Sequence, residues 1–155
     1  MKKIGILLFL AVLMCSDLQA SLERRNFGIG AVIGEPTGVS FKNWLSRDGA
    51  IDGALAWSFS DSRSFTFYLN FLRHSFDKDS FIIRGTFPYY YGAGTRLVLR
   101  EKQESSLGIR GVIGLDYIMD FEPIELFIEL GPVLDVIPDT AFDFGGGVGV
   151  RYYFE

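Results

Sequence analysis

The chain has 155 residues, a length that favours a single domain. Its formal net charge of −4 and its lack of a basic cluster exclude a typical nucleic-acid-binding surface. Its one cysteine excludes an internal disulfide framework. The 18 glycines and 15 phenylalanines favour a β-protein, because glycine weakens helices and permits close backbone contacts in sheets.

The first residues have the pattern of a secretory signal peptide. Lys2 and Lys3 precede an apolar run, Ile4 to Met14, and the small residue Ala20 marks a cleavage point. This run is too short to be a membrane-spanning helix, which needs about 20 apolar residues. We therefore predict a signal peptide over residues 1–20 and one mature domain over residues 21–155.

Cys15 leaves a second route of export open. In a lipoprotein it would become the acylated first residue, but the bulky Met14 precedes it where a small residue is usual. Cleavage after Ala20 would instead remove Cys15 and leave the mature chain without a thiol.

The mature chain alternates apolar residues with small or polar ones in eight runs, and Gly, Pro, Asp and Ser in the breaks are typical of turns. The longest break, Phe76 to Thr86, contains Phe81-Ile82-Ile83, which could extend a strand. An even number of strands near the roughly 9–11 residues that cross a bilayer predicts an all-β fold, an eight-stranded antiparallel up-and-down transmembrane β-barrel. The runs are Asn26–Gly34, Thr37–Leu45, Ala50–Phe59, Ser64–Ser75, Phe87–Arg100, Ser106–Ile118, Pro123–Leu134 and Ala141–Phe154.

The two faces of these strands differ in charge. The more apolar alternate positions carry no charged residue, whereas the intervening positions carry ten glycines and ten charges. Glycine on the polar face fits a narrow lumen, so we assign the charges to the inside of the barrel and the apolar residues to lipid. A soluble two-sheet sandwich with apolar inner faces would give the same alternation and remains an alternative. The ten inward charges are Lys42, Asp52, Arg96, Arg100, Arg110, Asp116, Glu125, Glu129, Asp143 and Arg151.

The inward charges are five basic and five acidic, which predicts a paired network that fills the lumen rather than an ion-selective pore. The role expected of such a barrel is structural or one of surface interaction, with no catalytic residue, cofactor or metal. An outer-membrane lipid-modifying enzyme is the alternative. It would need a nucleophile beside a base, but Ser75 points to the opposite face from His74, which we expect at the surface or interface. The remaining alternative is a soluble periplasmic binding protein.

The hairpin between the last two runs predicts a specific ion pair. Its centre near Ile137-Pro138 places Glu125 opposite Arg151. The preceding hairpin places Asp116 beside Glu125 and Arg110 diagonal to Glu129. Arg151 is then the expected cation between the carboxylates of Asp116 and Glu125.

The outward aromatic residues fall near the two ends of the strands, as interfacial belts do in membrane barrels. Seven lie at the end that holds both termini, and four at the opposite end. The first set is Phe27, Phe71, Tyr89, Tyr91, Tyr117, Tyr152 and Phe154, and the second is Trp57, Phe59, Phe65 and Phe142.

Several segments carry a resemblance to known proteins. The end of the last strand, Gly149 to Phe154, resembles the C-terminal signal by which the barrel-assembly machinery recognises outer-membrane proteins, although Glu155 follows the final Phe154. Together the segments resemble those of uncharacterised small outer-membrane proteins with an OmpA-type eight-stranded barrel. This resemblance implies a barrel in the bacterial outer membrane, in contact with its lipid, and no reaction. An extracellular ligand would meet only short loops. The segments are Gly34–Gly38, Pro88–Gly94, Leu107–Arg110, Glu125–Pro132 and Gly147–Phe154.

Overall fold

The computed structural model of the chain describes residues 26–35, 37–58, 63–77, 81–82, 85–101 and 103–154. The predicted signal peptide, Cys15 and the aromatic residue Phe59 lie outside this part of the chain. Within it, no helix is long and apolar enough to cross a membrane. All regular structure in these residues is β, in ten strands. They are β1 (Phe27–Gly34), β2 (Gly38–Trp44), β3 (Gly49–Ser58), β4 (Ser64–Ser75), β5 (Phe81–Ile82), β6 (Gly85–Thr86), β7 (Tyr89–Arg100), β8 (Ser106–Met119), β9 (Ile124–Ile137) and β10 (Ala141–Phe154).

Eight of these strands close into a barrel. Each of the long strands pairs antiparallel with the next long strand along the chain, from β1 to β10. The barrel closes where Phe27 in β1 pairs with Phe154 in β10. The predicted eight-stranded antiparallel up-and-down barrel is confirmed, and the alternative of a two-sheet sandwich is wrong.

The two short strands modify the longest connection. The β6 strand lies in line with β7, because both pair with β8: Gly85 faces Met119 and Tyr89 faces Leu115. Pro88 interrupts this line, since it has no N–H to donate, but its carbonyl accepts a hydrogen bond from the Asp116 N–H at 3.0 Å. Residues Phe81–Ile82 form β5 and pair with β6 as a small hairpin. The break expected between Phe76 and Thr86 therefore contains extra strand, as its apolar residues suggested.

The two faces of the sheet are assigned as predicted. Along β9, Leu126, Ile128 and Leu130 are 42%, 49% and 42% exposed, whereas the alternating Glu125 and Glu129 are buried. The other long strands follow the same rule, because side chains alternate between the two sides of a strand. The barrel is therefore apolar outside and charged inside, the reverse of a soluble barrel with an apolar core.

Inward glycines make room for the few large side chains of the lumen. A Cβ atom added to Gly114 in β8 would collide with the ring of Tyr90 and with the backbone of Ile128. The outward Gly111 in the same strand has space, since an added Cβ atom would lie 3.5 Å from the Pro132 side chain.

The two glycines predict different responses to one added methyl group. We expect Gly114→Ala to lower the free energy of unfolding by about 1–3 kcal/mol, because the added atom overpacks the lumen. We expect Gly111→Ala to leave it nearly unchanged. Denaturant unfolding of the refolded barrel measures both, and a Gly114→Ala variant as stable as the parent would show that the lumen has spare room at Gly114.

Candidate functional site

The side chains inside the barrel form three groups along its axis. We call the end with Phe27 and Phe154 the terminal end and the opposite end the far end. A terminal cluster surrounds Arg151 and Lys42, a central cluster surrounds Glu129, and a far cluster surrounds Arg96. They contain all the inward charges predicted from the sequence except Arg100.

Arg151 is the centre of the terminal cluster. The register places it opposite Glu125, as predicted, and its Nη1 donates to Glu125 Oε1 at 2.8 Å. Its Nη2 donates to Asp52 Oδ2 at 2.9 Å and its Nε to Ser40 Oγ at 2.9 Å. The guanidinium also lies 3.7 Å from the ring centre of Phe127. One fully buried cation therefore connects β10 with β2, β3 and β9.

The cation between Asp116 and Glu125 is Lys42, so the prediction of Arg151 in that place is wrong. The Lys42 Nζ lies 2.6 Å from Asp116 Oδ2 and 3.1 Å from Glu125 Oε2. The expected register is also off by two residues, because Glu125 faces Ile118 rather than Asp116. The hairpin between β8 and β9 is centred closer to β9 than its turn residues suggest. The side chain of Lys42 on β2 reaches both carboxylates across the lumen.

His74 is part of this cluster, which corrects its expected place at the surface or interface. Its side chain is fully buried, and its Nε2 lies 2.9 Å from Asp116 Oδ2. Its ring centre lies 4.3 Å from that of Trp44 and 5.1 Å from that of Tyr90. The sequence contained the signal, since His74 shares the inward parity of β4 with the polar Asn70.

Glu129 accepts hydrogen bonds from three donors in the central cluster. Arg110 Nη2 donates to its Oε1 at 2.7 Å, and Tyr68 and Tyr90 donate their hydroxyls at 3.1 Å and 3.2 Å. The Arg110 guanidinium also stacks 4.2 Å from the ring centre of Tyr68. Arg110 and Glu129 are in contact, but the predicted diagonal placement is wrong: Gly114 faces Glu129, while Arg110 faces Val133 and reaches Glu129 along the barrel.

Arg96 forms the far cluster with two carboxylates. Its Nη1 donates to Asp143 Oδ2 at 2.8 Å and its Nη2 to Asp135 Oδ2 at 2.9 Å. The predicted run ends at Leu134, but β9 continues to Ile137 and buries Asp135 as a sixth inward carboxylate, so the predicted balance of five acidic and five basic charges is off by one. Asp143 is inward but near the opening, where half of its side chain meets solvent. Arg100 donates to the Glu104 carbonyl at 3.1 Å and to Ser106 Oγ at 3.4 Å.

These contacts form a side-chain plug between two cavities. A cavity of about 570 Å³ lies at the far end, and one of about 150 Å³ lies at the terminal end beside Trp44 and Tyr153. Between them the terminal and central clusters occupy the lumen with paired charges. No group of three or more His, Cys, Asp or Glu side chains in the described part of the chain could hold a metal ion.

Arg151→Ala tests whether the plug stabilises the fold. It leaves the buried Asp52 without its cation and leaves Glu125 to share Lys42 with Asp116, so we expect a loss of about 3–5 kcal/mol in the free energy of unfolding. Adding Glu125→Gln should restore part of this loss, because it removes one of the excess buried negative charges. The measurement is denaturant unfolding of the refolded barrel.

A surface arginine supplies the matched control. Arg73 pairs with Asp48 at 2.8 Å, but the two side chains are 59% and 39% exposed. Arg73→Ala should therefore cost less than about 1 kcal/mol. Equal losses in the Arg73 and Arg151 variants would contradict a stabilising plug.

Comparisons of the chain with protein-family models, with curated proteins and with solved structures find no match. Its function has to be inferred from the barrel and from the groups inside it.

Proposed function

We propose that this chain is an integral protein of the bacterial outer membrane, with a plugged lumen and a structural or surface-interaction role. One observation carries the proposal: the barrel is apolar on its outside and buries its charges inside. A lipid environment makes this distribution favourable, because the closed sheet satisfies the backbone and presents only apolar side chains to hydrocarbon.

The exposed apolar surface is the first support. The residues Ile109, Ile113 and Leu115 of β8 are 57%, 57% and 44% exposed, and similar rows run along the neighbouring strands. Soluble monomers rarely expose contiguous apolar patches larger than a few hundred Å². A continuous apolar band around the barrel would make a soluble protein aggregate, whereas lipid would cover it.

Aromatic side chains near both barrel ends are the second support. At the terminal end, Phe71, Tyr91 and Tyr152 are 55%, 55% and 49% exposed. At the far end, Trp57 and Phe142 are 51% and 73% exposed. Aromatic rings at two levels match the two interfaces of a bilayer. The apolar strand residues between them match its hydrocarbon region.

Export and assembly follow from the two ends of the sequence. The predicted signal peptide over residues 1–20 would carry the chain to the periplasm. The last strand, β10, closes the barrel with β1 and ends in Tyr152, Tyr153 and Phe154. Its resemblance to an assembly signal makes the barrel-assembly machinery the expected partner.

The contacts of His74 favour a non-catalytic role. Its Nε2 lies against the Asp116 carboxylate, and its ring lies between aromatic side chains inside the lumen. Catalysis by a histidine base needs a nucleophile within hydrogen-bond reach. Ser75 follows it on the opposite side of the strand, and its hydroxyl donates weakly to Asp77 at 3.5 Å.

The proposed location predicts how the protein fractionates. We expect recovery in the outer-membrane fraction, extraction only by detergent, and faster gel migration of the unheated than of the heated protein. Cell fractionation and a gel with and without boiling measure these properties. Recovery as a soluble periplasmic monomer would refute the membrane location.

Charges placed on the lipid face test the orientation of the sheet. Val148→Arg puts a cation near the middle of β10, where it should lower stability by about 2–4 kcal/mol, whereas Leu126→Arg lies level with Tyr117 of the terminal aromatic belt and should cost about 1 kcal/mol. Asp139→Arg, in the exposed far-end turn, is the control and should change little. Denaturant unfolding in phospholipid vesicles measures all three. Parental stability of both lipid-face variants would show that this surface does not meet lipid.

The filled lumen predicts a low ion conductance. We expect no large, steady conductance from the purified protein in planar bilayers, because paired side chains fill the lumen between the two cavities. Single-channel recording at a range of voltages measures this. Stable openings of porin size would contradict a closed lumen.

A further inference from the structure

The outer surface of the barrel has a groove near the far end. Its volume is about 360 Å³, and it lies where β3 ends, β4 begins and β7 ends. Three outward side chains form its apolar wall: Trp57 faces Phe65, and Phe65 faces Leu99 on the next strand. They are 51%, 39% and 46% exposed. A second outward row continues this wall toward the middle of the barrel, formed by Leu55, Phe67 and Leu97.

An arginine lies at the far edge of this apolar wall. Arg63 directly precedes β4 and lines the groove, and its side chain is 76% exposed. Its carbonyl accepts a hydrogen bond from the Glu101 N–H at 3.1 Å, which joins the start of β4 to the end of β7. The barrel backbone therefore holds the base of this side chain next to the apolar wall.

The charge of Arg63 is only weakly compensated. Its Nε lies 3.9 Å from Glu101 Oε2, beyond hydrogen-bond distance, and both side chains are mostly exposed. Exposed pairs of this kind contribute little stability. Among the described residues the Arg63 guanidinium donates no hydrogen bond, so its N–H donors are available to a ligand. Arg100 also lines the groove, so its described lining residues carry two cations and one carboxylate.

A second outward arginine on the same strand differs in this respect. Arg73 lies near the terminal end of β4 and faces the exposed Tyr91 on the next strand. Its Nη2 lies 2.8 Å from Asp48 Oδ2, so a carboxylate already binds this guanidinium. Both arginines lie beside exposed aromatic residues, but of the two only Arg63 has its donors free.

We propose that this groove binds one lipid molecule with an anionic phosphate headgroup. The phosphate would accept hydrogen bonds from the Arg63 guanidinium, whose planar donors match phosphate oxygens. An acyl chain would pack on the apolar wall below it. A zwitterionic lipid would bind more weakly, because its headgroup cation would lie near Arg63 and Arg100. The proposal rests on the proposed membrane location, since a bilayer is what brings lipid to this surface.

The two tryptophans of the chain allow the groove to be observed by fluorescence. Trp57 lines the groove, whereas Trp44 lies inside the lumen with its ring centre 4.3 Å from that of His74. The mature chain is refolded into phosphatidylcholine vesicles that contain brominated phosphatidylglycerol or, at the same mole fraction, brominated phosphatidylcholine. Bromine on an acyl chain quenches a tryptophan that the chain contacts. The Trp57→Phe variant gives the contribution of Trp44, which is subtracted.

We expect brominated phosphatidylglycerol to quench Trp57 at about fivefold lower mole fraction than brominated phosphatidylcholine, the preference that one interfacial arginine gives to an anionic lipid. Arg63→Gln should remove this preference. Glu101→Gln should increase it, because the carboxylate that competes with the phosphate is removed. Arg73→Gln, at the other end of β4, is the matched control and should leave it unchanged. Heat-dependent gel migration checks that each variant is folded.

The outcomes separate this proposal from the membrane location. Equal quenching by the two brominated lipids would overturn the lipid site and leave the membrane location standing. A preference that survives Arg63→Gln, or is lost equally in Arg73→Gln, would do the same. Absence of quenching by either lipid would show that Trp57 does not contact acyl chains, and would refute the lipid-facing surface together with the site.

Discussion

The structure depends on the requirement that every charge buried in the lumen has a partner. Arg151 meets this requirement most fully, since its three donor nitrogens bond Glu125, Asp52 and Ser40 while the side chain stays fully buried. The residues it bonds lie on three other strands. A shift of one of these strands would break contacts of Arg151 and leave buried charges without partners in a low-dielectric interior. Ion pairing thus contributes the specificity that a close-packed apolar core supplies in a soluble domain.

The lumen combines a few large side chains with inward glycines on the neighbouring strands. Tyr90, Tyr153 and Phe127 project against glycines of neighbouring strands, where an added Cβ atom would collide with their rings. This combination lets Lys42 reach Asp116 and Glu125 across the lumen and lets Arg110 stack on Tyr68. The far cavity begins at Tyr68 and Arg110, and Arg96 and Arg100 line it beyond them.

The arrangement of charges is the observation on which the proposed membrane location rests. Apolar strands outside and charges inside suit a barrel surrounded by lipid, and the paired charges make its lumen a plug. Charge pairing is one to one between Arg110 and Glu129, whereas Arg96 lies between two carboxylates, Asp135 and Asp143, so the far cluster carries one excess negative charge.

The sequence by itself determined which residues face inward, because side chains alternate with a period of two along any strand. It also predicted contacts made through a short hairpin, such as Glu125 with Arg151, since only the turn sets that register. Such reasoning left Asp135 outside the seventh strand and expected His74 at the surface or interface. Both residues lie near strand ends, where few further alternating residues indicate which face a side chain takes. Only the tertiary structure decided that Lys42 lies between Asp116 and Glu125, contacts that span 74 and 83 residues along the chain. The reason is that contacts across the lumen depend on how all eight strands are staggered when the barrel closes, and no local pattern contains that stagger.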